Sequence, residues 1–99
     1  MGTISEQQFL ASLKQENPAE ELSPLLQAIR HGLRGEWEPA HRIAQTVDDA
    51  DGAWVHAWLH RIEGDLANAG YWYRRAGKPV ATESTDDEGR TIARALLER

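Results

Sequence analysis

The sequence predicts an all-α fold of about six helices, and three observations carry that prediction. Apolar residues recur at three- and four-residue spacing through most of the chain. Capping patterns, glycines and prolines interrupt that spacing at short intervals. One hairpin-length stretch also matches another lying 29 positions further on. No segment alternates apolar and polar residues between turn signals, so no strand is expected.

Ser5-Glu-Gln-Gln8 is a capping-box pattern, in which the serine hydroxyl and the glutamine side chain each satisfy the other's backbone N–H. Phe9, Leu10 and Leu13 follow at helical spacing, which predicts a helix over 5–16 ended by Pro18. Ser23 before Pro24 places an N-cap ahead of a first-turn proline. Leu25, Leu26, Ile29 and Leu33 then carry a second helix over 24–34, closed by Gly35. Trp37, Ala40, Ile43, Ala44 and Val47 make one apolar stripe on a third helix with Pro39 in its first turn, and Asp48-Asp-Ala-Asp-Gly52 breaks it. A fourth helix is expected over 52–63, and a fifth from the N-cap Asp65 to Ala76, stopped by Gly77 and Pro79. Thr85-x-x-Glu88 reads as a second capping box opening a last helix over 86–98, with Ile92, Ala93, Leu96 and Leu97 on one face. The acidic stretch Glu83–Glu88 is expected to form a mobile loop before it.

The shift of 29 lays Gly35-Glu-Trp-Glu-Pro-Ala40 on Gly64-Asp-Leu-Ala-Asn-Ala69, Ala28 on Ala57, His31 on His60 and Leu33 on Ile62. Two successive helical hairpins of one design explain the match. In these marks, together with Ala44 and Val47 in the first unit and Tyr73 and Ala76 in the second, the chain resembles the tetratricopeptide repeat family over about 24–78. The spacing is shorter than that family's ~34 residues, and there are two units where three or more usually stack. A shortened connection at Asp48–Gly52 accounts for the first difference. The second implies that the helices at 5–16 and 86–98, or a second copy of the chain, cap the stack within one domain spanning 1–99.

The resemblance implies an interaction module, with Trp54 and Trp58 at positions that line the family's concave peptide groove. The carboxylate-clamping members carry Lys and Asn there, so that specificity is not implied here. The segment Trp54-Val-His-Ala-Trp-Leu-His60 through Gly77 also resembles the signature of a small family of uncharacterised bacterial and fungal proteins, a likeness that implies no activity.

Composition narrows the function. With a formal net charge of −5 and no Lys/Arg cluster long enough to follow a phosphate backbone, nucleic acid is not an expected partner. Tyr71-Trp-Tyr-Arg-Arg75 mixes aromatics with arginines as single-strand binders do, but it is one short segment. No apolar run approaches the ~18 residues of a membrane span, so no membrane partner is expected. The absence of cysteine excludes disulfides, thiolate metal sites and a cysteine nucleophile. The N-terminus carries no basic-then-apolar signal, which makes the cytoplasm the default location. There is no P-loop, dinucleotide fingerprint, Gly-x-Ser-x-Gly elbow or kinase signature, so no catalytic residue and no cofactor is expected.

One polar-aromatic cluster stands out. On the fourth helix the apolar arc of Trp54, Val55, Trp58, Leu59 and Ile62 leaves His56, His60 and Glu63 on the opposite side, facing water. The repeat register instead turns His56, Ala57 and His60 against the fifth helix, near Ala69 and Tyr73, and this reading is preferred because a helix flanked on two sides is contacted all round. Buried imidazoles then need partners, for which Glu63, Asp65, Tyr73 and the arginines are at hand. His56 and His60, four residues apart, also have the spacing of a helical metal pair with Glu63 a turn further on. Two histidines without the metalloprotease glutamate favour a structural network over an ion, so no metal ligand is assigned from sequence.

Leu66, Ala69, Trp72, Tyr73 and Ala76 should point inward from the fifth helix, leaving Tyr71, Arg74 and Arg75 outside. The function expected from sequence is therefore contact with a protein segment or with a second copy of the chain, through Trp54, His56, Trp58, His60, Arg61, Glu63, Tyr71 and Arg74. A small-molecule or metal-binding protein, with a hydrolase as one form of it, centred on His56, His60 and Glu63 is the alternative.

Overall fold

The computed structural model describes residues 4–16 and 22–99. Six helices follow in order: α1 (Glu6–Ala11, continued by a 3₁₀ turn over Ser12–Lys14), α2 (Pro24–Leu33), α3 (Trp37–Ala44), α4 (Ala50–Glu63), α5 (Leu66–Ala76) and α6 (Thr85–Leu97). The fold is all-α, with no strand among the described residues. Pro18, expected to end the first helix, lies outside them.

The caps explain the starts. The Ser5 hydroxyl accepts from the Gln8 N–H at 3.0 Å while the Gln8 side chain accepts from the Ser5 N–H at 2.8 Å, completing the capping box. Helix α4 starts earlier than the sequence suggests, because the Asp49 carboxylate accepts from the Gly52 N–H at 2.8 Å and so satisfies its first turn. At α6 the cap is Ser84, which accepts from the Asp87 N–H at 3.1 Å, and not Thr85. The expected mobile loop at Glu83–Glu88 is thereby corrected. Asp86, Asp87 and Glu88 form a helical first turn, where the macrodipole favours acidic side chains, and Glu88 is buried.

The two hairpins turn alike. Gly35 and Gly64 adopt φ of +81° and +89°, a region costly for any residue with a Cβ. Each hands the chain on through the same backbone bond, from Glu36 N–H to the His31 carbonyl at 2.8 Å and from Asp65 N–H to the His60 carbonyl at 3.0 Å. The fully buried alanines Ala28 and Ala40 in one hairpin, and Ala57 and Ala69 in the other, leave the paired helices room to approach.

Helices α2, α4 and α6 pack on one another around Trp58, which is fully buried and donates its indole N–H to the Thr85 carbonyl at 2.7 Å. Glycines flank that ring on both neighbours: a Cβ at Gly32 of α2 would lie 2.6 Å from it, and one at Gly89 of α6 2.5 Å. Phe9, Ile29, Leu59 and Ile92 complete this core. The turn after α1 is tied to α2 by Arg30, whose Nε donates to the Ser12 carbonyl at 3.1 Å, and by Arg34, whose Nη1 donates to the Leu13 carbonyl at 2.8 Å. Helices α3 and α5 lie outside, each against its hairpin partner, and the groove they leave over α4 holds the site. Among the described residues no helix is long and apolar enough to cross a membrane.

Candidate metal centre

Three imidazoles meet in that groove, one from α3 and two from α4. His41 Nε2 and His56 Nε2 lie 3.0 Å apart, and nitrogens of His41, His56 and His60 all fall within 4.8 Å of one another. His56 and His60 share a face because they are one turn apart on α4, and their rings stack with centroids 4.8 Å apart. His41 reaches them because α3 crosses α4 with its Trp37–His41 edge inward. Trp37 stacks on His41 at 4.7 Å and anchors the crossing by donating its indole N–H to the Leu59 carbonyl at 2.7 Å. From α5, Trp72 stacks flat on His56, centroids 4.0 Å apart and planes 12° from parallel. His56 and His60 are buried, as the repeat register requires and the simple apolar arc does not, but the rings they meet are the half-buried His41 of α3 and Trp72 of α5, while it is Ala57 that packs with Ala69 and Tyr73.

The carboxylate of Glu63 lies 2.7 Å from His60 Nδ1. Accepting from an Nδ1–H, it orients the ring and leaves Nε2 as the nitrogen with a free lone pair, as carboxylates behind metal-bound histidines do. Burial, reinforced by repulsion from His41 and His60, drives the His56 pKa down from 6.5 to about 4. Burial first, then His60, also lowers that of His41, against the pull of Glu63 and Glu38. These two rings are neutral near pH 7, the form in which imidazole binds metal.

The donor set fits a transition ion. With metal–nitrogen bonds of ~2.0–2.1 Å and tetrahedral angles, ligand nitrogens sit ~3.3 Å apart, a spacing near the 3.0 Å between His41 Nε2 and His56 Nε2 and inside the 4.8 Å that spans all three. An all-imidazole set suits Zn²⁺, Cu²⁺, Ni²⁺ or Fe²⁺ and selects against Mg²⁺ and Ca²⁺, which take oxygen ligands. A second grouping, His60 with Glu63 and Asp65, is weaker, since both carboxylates are exposed and Asp65 caps α5 by accepting from the Asn68 N–H at 3.3 Å.

Beside the triad lies a cleft of about 460 Å³, lined by Gln45, Asp48, Asp49, His56, Trp72 and Arg75 among others. Gln45 is one turn beyond His41 on α3, and Gly52 one turn before His56 on α4, so the cleft continues the groove that holds the imidazoles.

The other residues singled out from sequence separate. Trp58 is enclosed in the core and cannot anchor a partner. Trp54 is half-buried, with the Lys78 ammonium 4.2 Å above its ring. Arg61 turns away from the histidines to pair with Glu88 at 2.7 Å, and Tyr73 donates its hydroxyl to the same carboxylate, so neither serves the imidazoles. Burial pushes the Glu88 pKa up, against the stabilising bonds from Tyr73 and Arg61. Tyr71 and Arg74 are exposed on α5, as expected. Leu66, expected inward, is 67% exposed. Its counterpart Trp37 is covered by the following helix α4, whereas after α5 the chain sends α6 back onto α2 and α4.

His41 is the member that sequence reasoning missed. It follows Trp37 by one turn beside the stripe of Ala40 and Ala44, a signal that would place it at the edge of the packed face. The chain matches no protein-family model, no curated protein and no solved structure.

Proposed function

We propose that this chain is a small helical metal-binding protein that holds one divalent transition ion through His41, His56 and His60. The observation that carries the reading is the convergence of three imidazoles on one groove, with the Glu63 carboxylate placed to accept from His60 Nδ1–H and so leave Nε2 for a metal. Two histidines favoured a structural network. A third, from another helix, completes the set found in three-histidine sites with an open fourth position.

The test is calorimetric titration of chelator-treated, tag-free protein with Zn²⁺ and Co²⁺. One ion per chain is expected, lost in His41→Ala, His56→Ala and His60→Ala while the helical circular dichroism persists. Glu63→Gln should weaken binding by ~10–100-fold. Weak binding of several ions, indifferent to His41→Ala, would refute the reading.

The interaction reading taken from the tetratricopeptide resemblance is a second proposal, supported by the exposed Leu66 and Tyr71 on α5. Self-association by sedimentation that is lost in Leu66→Ser with Tyr71→Ser would favour it, and a monomer at all concentrations would speak against the self-binding form.

A further inference from the structure

Each imidazole of the triad is gripped by a different neighbour. Glu63 holds His60 through Nδ1. His41 and His56 are held instead by indole faces: Trp37 lies 4.7 Å from His41 with the planes 10° apart, and Trp72 lies 4.0 Å from His56 with the planes 12° apart. A flat stack on a fixed ring resists any tilt of the imidazole plane. Both indoles are themselves fixed. Trp37 donates its N–H to the Leu59 carbonyl at 2.7 Å. Trp72 is backed by exposed side chains of its own helix, with Tyr71 edge-on at 5.2 Å and the Arg75 guanidinium 5.2 Å from its ring.

The spacing of the clamped rings discriminates between coordination geometries. Imidazoles bound at ~2.0–2.1 Å place their ring centroids ~5.2 Å apart at tetrahedral angles and ~6.4 Å apart when trans across the ion. The three pairs stand at 4.7, 4.8 and 5.3 Å, so none is near the trans value. His56 and His60, moreover, stack 22° from parallel on one helix and reach an ion from the same side. A square-planar set with three imidazoles must contain one trans pair. Forming it here means drawing His41 or His56 off its indole, or His60 off Glu63.

We infer that Trp37 and Trp72 are positioning residues that fix the coordination geometry at the histidine triad, favouring a tetrahedral Zn²⁺ and disfavouring the square-planar set that Cu²⁺ adopts. This rests on the metal-binding reading. At an unconstrained imidazole site Cu²⁺ binds more tightly than Zn²⁺, and rigid ring planes narrow that gap. The stretch Tyr71-Trp-Tyr-Arg-Arg75 thereby acquires a role: its tryptophan grips a ligand ring, and Tyr71 and Arg75 brace the tryptophan from outside.

The experiment uses the full chelator-treated chain, wild type beside Trp72→Leu and Trp72→Phe. Zn²⁺ and Cu²⁺ affinities are measured by chelator competition, and the Cu²⁺ form by electron paramagnetic resonance. Wild-type Cu²⁺ should show the reduced parallel hyperfine splitting of a tetrahedrally distorted site. Trp72→Leu should lose about 10-fold in Zn²⁺ affinity with Cu²⁺ affinity unchanged, and its splitting should widen to that of a tetragonal site. Trp72→Phe, which keeps a stacked ring, should restore both. The wild-type spectrum alone decides if a variant does not fold. A tetragonal wild-type spectrum, or a Cu²⁺:Zn²⁺ affinity ratio equal in wild type and Trp72→Leu, would overturn the clamp while leaving the metal site standing. Protein that binds neither ion would remove both.

Discussion

The two hairpins share a frame and differ in what they place on it. Gly35 and Gly64 turn the chain in the same left-handed conformation, and His31 and His60 each pair with a glutamate at 2.7 Å. Where the second hairpin has His56, however, the first has Gln27, whose side chain donates to the Leu22 carbonyl at 2.7 Å. Where the first has His41, the second has Gly70. Neither hairpin can assemble the triad alone. The histidine cluster exists because α3 of one lies across α4 of the other, so two similar hairpins form a groove into which two different local residue choices bring three imidazoles.

Substitutions at the equivalent positions test that comparison. The largest effect is expected at the core pair Trp58 and Ile29. Trp58→Ala should cost ~3–5 kcal/mol in chemical denaturation, because the glycines of α2 and α6 leave nothing that can refill the space. A cost below ~1 kcal/mol would mean that the second hairpin does not centre the core.

Next comes pH. The buried His56 ring has a folded pKa lowered from 6.5 to about 4, so between those values the unfolded chain binds more protons than the folded one. Stability is therefore full above pH ~6.5 and falls as the pH drops towards 4, by about 3 kcal/mol from this residue in the metal-free protein. His56→Gln, which copies Gln27 into the second hairpin, should flatten that part of the profile. Parallel wild-type and variant profiles over that range would contradict the buried, neutral imidazole.

The smallest effect concerns the turns. An added Cβ at Gly35 or Gly64 meets nothing within 4 Å, so the cost of Gly→Ala at either is conformational only, ~1–2 kcal/mol, and equal at the two sites. Clearly unequal penalties would show that the turns are equivalent in shape but not in energy.

Much of the frame could be read in the sequence because it is local. Capping residues, Gly turns and helical spacing act within a few positions, which is why all six helices and the equivalence of Gly35 and Gly64 are visible there. His56, His60 and Glu63 could also be read, once the repeat register replaced the apolar arc. His41 could not, because its neighbours are set by the angle at which α3 crosses α4, a property of packing between hairpins that no single helical period contains. Leu66 and Trp58 mislead for a related reason: burial at a given register depends on which helix comes next, and α6 abandons α5 to close on α2 and α4 around the indole.

The most direct measurement of the central claim is X-ray absorption at the metal edge of the Zn²⁺-loaded chain, wild type beside His41→Ala. A shared centre requires three nitrogens at ~2.0–2.1 Å with imidazole scattering in the wild type, one fewer in the variant, and a light atom in the remaining position. An edge dominated by oxygen ligands, or three imidazoles that persist in His41→Ala, would show that the ion is bound elsewhere and that the groove between the hairpins is not a metal centre.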